Sequence, residues 1–191
     1  MNTIKLLFAT TSIAIFTCSC GNHQQNGGIS QNTPVKFSQV EITDDFWQPR
    51  IKALSETTVP FCLDQCCTKT GRVNNFAVAA GLVEGKWQGL FYDDSDLYKT
   101  IEGAAYSLQN EPNAILEAQI DSIVAIIAAA QRPDGYLDTY YLLEKPGEEW
   151  TDMDKHEMYC CGHLIEAAIA YKDATGKRKL LDVAEKFANH L

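Results

Sequence analysis

His156-Glu157-Met158-Tyr159-Cys160-Cys161-Gly162-His163-Leu164-Ile165-Glu166-Ala167-Ala168-Ile169-Ala170-Tyr171 decides how this chain is read. Wound at about 3.6 residues per turn, it turns Tyr159, Gly162, Leu164, Ala168 and Tyr171 toward neighbouring helices. The same winding strings His156, Cys160 and His163 along one stripe. Imidazoles and thiols on a helix otherwise suited to burial are costly unless paired, so the spacing predicts the wall or mouth of a pocket. Gly176, just past Thr175, is a natural C-terminal stop.

Three more helices surround this one. Asp94-Ser95 can cap a helix whose apolar positions are Leu97, Ile101, Ala104, Ala105 and Leu108. Glu111-Pro112-Asn113 breaks it, and Ile115, Ala118, Ile120, Ile123, Ile127 and Ala130 mark the next. A long connection runs from Arg132 to about Met153, and Leu180, Ala184, Phe187 and Leu191 mark a last helix. Antiparallel helices joined short, long, short predict an all-α fold of stacked helical hairpins. Because consecutive helices reverse direction, the loops before Asp94 and before His156 share a rim, where Asp96 and His156 are presented beside positive helix ends. The last helix stops on Leu191 without a cap, and two hairpins leave an apolar face open; the expectation is the amino-terminal part of a longer protein.

Upstream the signals are weaker. Val35 to Val40 alternates apolar and polar, as a short strand or extended lead-in would. Thr43-Asp44-Asp45 offers cap oxygens to a helix expected from about Asp45 until Pro60 disturbs it, with Pro49 tolerated in the first turn. Thr70 to Phe76 reads as a turn, and Ala77 to Leu82 as one helical turn or two.

Composition excludes some functions. Hydrophobic residues make up 46% of 191 residues, enough for a globular core, and 25 acidic against 16 basic residues leave a net charge of -9. Phosphate backbones are repelled, which excludes nucleic acid as a partner. Residues 1–19 read as a signal peptide, with Lys5, the apolar run Leu6 to Phe16, and Ser19-Cys20 at the cleavage position. The pattern resembles a bacterial lipoprotein signal, with Cys20 as lipid attachment site and residues 20–34 as a flexible tether to a domain over 35–191. The implied location is the periplasm or outer membrane of a Gram-negative bacterium, on a lipid anchor. Export permits disulfides, yet Cys62, Cys66, Cys67, Cys160 and Cys161 are expected reduced or packed.

The chemical candidates are few. His156-Glu157 lacks the second histidine of a zinc protease four residues on, where Cys160 stands. His156 with Cys160, or Cys160 with His163, has two-ligand metal spacing, a weak signal outweighed by packing. His163 reads as a packed, hydrogen-bonded histidine, Asp94-Ser95-Asp96 as a capping cluster, and Lys99 with Glu102 as a surface pair. Tyr136, Tyr140, Tyr141 and Trp150 give the long loop aromatic surface, for stacking on sugar or for packing back on the helices.

Five ordered segments match a known pattern: Phe46-Trp47-x-x-Arg50, Gly71-Arg72-Val73-x-Asn75-Phe76, Asp94 to Lys99, Ala130 to Thr139, and His156 to Ala167. From about Val40 to Leu191 the chain resembles the β-L-arabinofuranosidase family of glycoside hydrolases. The resemblance implies part of an (α/α)6 barrel and retaining hydrolysis of arabinofuranosides from plant glycans. It implies a zinc-held cysteine nucleophile and a glutamate acid/base, all expected beyond Leu191, so that zinc belongs to the full-length domain and none is expected on this chain. The 191 residues alone are therefore expected to be inactive. His156 matches a histidine that hydrogen-bonds the sugar, and Asp96 matches by position. The rival readings are a non-catalytic carbohydrate-binding lipoprotein and a purely structural helical module.

Overall fold

A computed structural model describes residues 33–36 and 39–191. The signal over 1–19, Cys20 and the tether up to residue 32 lie outside the described residues. The unit Val35–Leu191 is helical, and among the described residues no strand forms.

The first helical run continues from Gln48 to Lys69. It passes from α1 (Gln48–Ala53) through a wider π turn over Leu54–Thr58 into α2 (Val59–Asp64), then widens again over Gln65–Lys69. Pro60 does not interrupt it, contrary to the sequence expectation. The Val59 N–H bonds back to the Leu54 carbonyl, and this shift of register places Pro60 in the first turn of α2, where a missing N–H is tolerated. Asp44 is the cap, its Oδ1 accepting from the N–H groups of Phe46 at 2.8 Å and Trp47 at 2.7 Å. Gly71, with φ of 71°, turns the chain into α3 (Arg72–Ala79), which starts earlier than its apolar residues suggest.

Two hairpins follow. α4 (Asp94–Asn110) and α5 (Ala114–Ala130) are separated at Glu111 to Asn113, where the Asn113 side chain caps the N–H groups of Ile115 and Leu116 at 3.1 Å. α7 (Glu157–Thr175) ends at Gly176, whose N–H closes on the Lys172 carbonyl at 2.8 Å, and α8 (Lys179–His190) returns. The long connection between the hairpins is not all loop. Asp138 accepts from the Tyr141 N–H at 3.2 Å and caps the short α6 (Thr139–Glu144), and a single 3-10 turn occupies Met153–Lys155.

α4 and α7 lie side by side with their amino-terminal ends together. Phe91 and Tyr92, just before α4, meet His156 at the head of α7, and Lys99 reaches Tyr159. The shared rim is therefore present. Leu97, Ile101, Ala104 and Ala105 of α4 bury completely beside Leu164, Ala167 and Ala168 of α7. α5 and α8 close the core with Ile120, Ile127, Leu180 and Phe187, and each such side chain contributes about 1.5–3 kcal/mol. Gly135, in the predicted Pro-Asp-Gly turn, has φ of 95°, and a Cβ there would lie 2.4 Å from the Lys186 carbonyl oxygen. The turn can press against α8 only without a side chain. All five described cysteines are free thiols.

Candidate functional site

His156 does not continue the helix that follows it. It is the residue before α7, with left-handed backbone at φ 65° and ψ 21°, so the predicted stripe of His156, Cys160 and His163 is broken. Cys160 is fully buried, with its thiol on the Tyr92 carbonyl at 3.7 Å, which rules it out as a metal partner for either histidine. His156 remains exposed over an aromatic bed, its ring 5.4 Å from Phe91, 5.6 Å from Tyr92 and 5.5 Å from Tyr159.

One hydrogen bond fixes what this imidazole can do. Its Nδ1 lies 2.7 Å from the Asp154 carbonyl oxygen, which can only accept, so Nδ1 carries the proton. In the neutral ring Nε2 then holds a lone pair, free to accept from a hydroxyl. A cavity of about 400 Å³ opens beside it, bordered by Trp150, Asp152, Met153, Met158 and Tyr159. Its edge is set by Trp150, a second non-glycine residue in left-handed backbone, with φ of 62°. Such a conformation persists only where the surroundings hold it.

Glu157 does the holding. Its buried carboxylate accepts the Tyr136 hydroxyl at 2.5 Å and the Trp150 N–H at 2.9 Å. Sequence reasoning missed Glu157, which stands out there only in the failed protease motif; an acid in the first turn of a helix after a long loop is the signal that could have found it. Of the loop aromatics, Tyr136 and Tyr141 pack back into the core, Tyr136 against Phe187 and His190. Trp150 stays 38% exposed at the cavity edge, and Tyr140 sits edge-on to Trp87.

Asp96 faces elsewhere. Its carboxylate pairs with Arg72 at 3.1 Å, and Arg72 also reaches Asp93 at 2.9 Å and the Thr70 carbonyl at 2.8 Å. Asp96 and Arg72 line a separate cavity of about 320 Å³ with Cys66 and Thr100. The two candidate residues share a rim but not a cavity. Lys99 links them, bordering the Asp96 cavity while donating to the Tyr159 hydroxyl at 2.5 Å and to Ser95 at 3.2 Å. It makes no pair with Glu102, which instead accepts from Tyr106.

The expected capping cluster is also rearranged. No side chain caps α4; Asp94 points inward, taking the Thr139 N–H at 2.7 Å and its hydroxyl at 2.5 Å. Burial raises the Asp94 carboxyl to about 6 against these bonds, and burial with Asp94 nearby pushes Asp138 well above the usual carboxylate range. A zinc–thiolate centre needs deprotonated thiols. Burial, with Asp94 and Asp138, pushes the Cys160 thiol up, burial alone raises Cys161 to about 11, and Cys66 and Cys67 are raised by burial too. Among the described residues no thiol belongs to a cluster of three groups able to hold a metal ion, so these thiols do not build such a centre by themselves.

Comparison with known proteins agrees with this architecture. Residues 39–191 match the family described as β-L-arabinofuranosidase, GH127 catalytic domain. A non-reducing end β-L-arabinofuranosidase of Bifidobacterium longum subsp. longum is 38% identical over 177 residues, covering 80% of this chain and 27% of that protein. The crystal structure of a GH127 β-L-arabinofuranosidase from Geobacillus stearothermophilus T6 is similar with a TM-score of 0.76 and 38% identity, covering 79% of this chain and 25% of its own. The GH127 β-arabinofuranosidase BT3674 gives 0.75 and 45%, covering 82% and 26%. The chain thus spans about a quarter of the length of these relatives, and its hairpins form part of their (α/α)6 barrel.

Proposed function

The chain belongs to the β-L-arabinofuranosidase, GH127 catalytic-domain family, and from that premise we propose that its α4–α7 rim is a sugar-contacting wall of a glycoside hydrolase acting on arabinofuranosides of plant glycans. The observation that carries the reading is the fixed tautomer of His156. His156 lines a cavity with apolar flanks, where an Nε2 lone pair can accept a sugar hydroxyl while the flanks cover the ring's C–H face. Asp96, held by Arg72, is assigned the outer contact, reaching substrate from the neighbouring cavity.

The reaction implied for the family is retaining hydrolysis by a zinc-held thiolate with a glutamate acid. Among the described residues no thiol joins a cluster able to hold a metal ion, so the contribution assigned to these residues is binding and orientation. The test is binding of an aryl β-L-arabinofuranoside to the 191-residue chain, read by ligand-observed NMR. His156→Ala is expected to weaken binding about tenfold, the equivalent of one hydrogen bond of about 1.4 kcal/mol. Equal affinity of the variant and the parent would remove His156 from the site.

Export and lipid anchoring at Cys20, with residence in the periplasm or outer membrane, complete the proposal, supported by the sequence pattern of residues 1–20. Among the described residues no helix is long and apolar enough to cross a membrane. In cells fed a labelled fatty acid, the chain is expected to take up label and Cys20→Ala to lose it entirely. Label retained by the variant would place the anchor elsewhere.

A further inference from the structure

The seam between α4 and α7 carries a second cluster that sugar binding does not use. Glu102 projects from α4, and His163 and Glu166 project from α7 one turn apart. One donor atom from each, a carboxylate oxygen or an imidazole nitrogen, lies within 4.8 Å of the other two. The close packing of the two parallel helices fixes that separation.

His163 is not the hydrogen-bonded histidine its sequence context suggests. Its ring is set edge-on against Tyr159 at 4.5 Å, so its orientation is constrained. Nδ1 lies 3.0 Å from Glu166 Oε2 yet outside hydrogen-bonding alignment, and this buried atom has no other hydrogen-bond partner. A buried polar atom left so is a standing cost to the fold, and the defect is relieved if the nitrogen donates its lone pair to a cation lying between it and the carboxylates. The charges favour the same species: among the described residues neither Glu102 nor Glu166 forms an ion pair with Lys or Arg. The Tyr106 hydroxyl donates to Glu102 Oε1 at 2.8 Å and steadies the carboxylate. Glu166 is 60% exposed along its side chain, which leaves an entry path.

We propose that Glu102, His163 and Glu166 bind a first-row divalent cation through two carboxylate oxygens and one imidazole nitrogen, with water completing the shell. Two oxygens and one nitrogen suit an ion of the Mn²⁺, Fe²⁺ or Zn²⁺ class, and the set contains no thiolate.

Mn²⁺ is the probe, because it disfavours thiols and its free signal is read directly by electron paramagnetic resonance. Titrated into the full chain without any glycoside, it is expected to bind once per chain. His163→Ala and Glu166→Gln are each expected to weaken binding at least about tenfold. Asp121→Asn, in a separate acidic group paired with Lys177, leaves the affinity unchanged. Circular dichroism on each variant checks that helix content is retained, and exposed Glu166 tolerates the isosteric change. Absence of saturable binding, or binding shared equally by all variants, overturns the site. Neither outcome touches the sugar reading, since no sugar is present.

Discussion

Glu157→Ala is expected to lower the stability of the chain by about 3–4 kcal/mol and its melting temperature by roughly 10 °C. Glu157 is 4% exposed, and the bonds its carboxylate accepts include those from the Tyr136 hydroxyl and the Trp150 N–H. Bonds to a charged acceptor are worth about 1.5–3 kcal/mol each, and truncation leaves both donors unpaired in or beside the core. Burial, with Asp138 and Glu157 close by, pushes the Tyr136 hydroxyl up, so it cannot ionise to escape the loss. Trp150 pays as well, since its left-handed backbone is held by the bond to Glu157. With the loop released, sugar affinity should fall together with stability. Glu157→Gln keeps an acceptor for Trp150 but none for the tyrosine proton, so it should fall between parent and alanine. Urea melts of the three proteins decide the matter; an alanine variant within 1 kcal/mol of the parent, on the order of a single weak contact, would show that the loop holds its shape without the carboxylate.

The parts of this site that the sequence disclosed are those governed by one local rule. Helical spacing of Leu97, Ile101, Ala104 and Leu108, and the stop at Gly176, follow from periodicity and backbone freedom, and both are found. The rim of α4 and α7 followed from connection lengths. The errors arise where a second effect overrides the first. Pro60 is harmless because a π turn one residue earlier shifts the hydrogen-bond register, which no pattern of side chains announces. The stripe through His156 and Cys160 assumed that the helix begins at His156, whereas the chain takes a left-handed step there and only then winds. Asp94 looked like a cap by type and position, yet its oxygens go to Thr139, a partner distant in sequence. The one readable clue to α6 was Asp138 three residues ahead of Tyr141, a cap spacing hidden inside a segment already read as loop.

That inward turn of Asp94 gives the chain an unusual dependence on pH. The carboxyl is ordinarily near 3.8 and is raised to about 6 in the fold, burial outweighing both Thr139 bonds. Below the ordinary value it is neutral in folded and unfolded chains alike, and the stability associated with it is fully present. Between the two values the folded chain holds a proton that the unfolded chain has released, so stability falls as pH rises, and above about 6 it levels off lower by about 3 kcal/mol. Asp138, raised in the same direction, steepens the decline. Asp94→Asn cannot ionise, and its carbonyl can still accept the Thr139 N–H that ties the start of α6 to α4. Relative to the parent the variant should therefore gain about 2–2.5 kcal/mol between pH 4 and pH 7, whatever its absolute stability. Asp94→Ala loses the tie as well and should be the less stable of the two variants at pH 7. Urea midpoints measured across that range give the comparison directly, and parent and asparagine curves running parallel would mean that the buried acid is ionised throughout, with Arg72 and the threonine outweighing its burial.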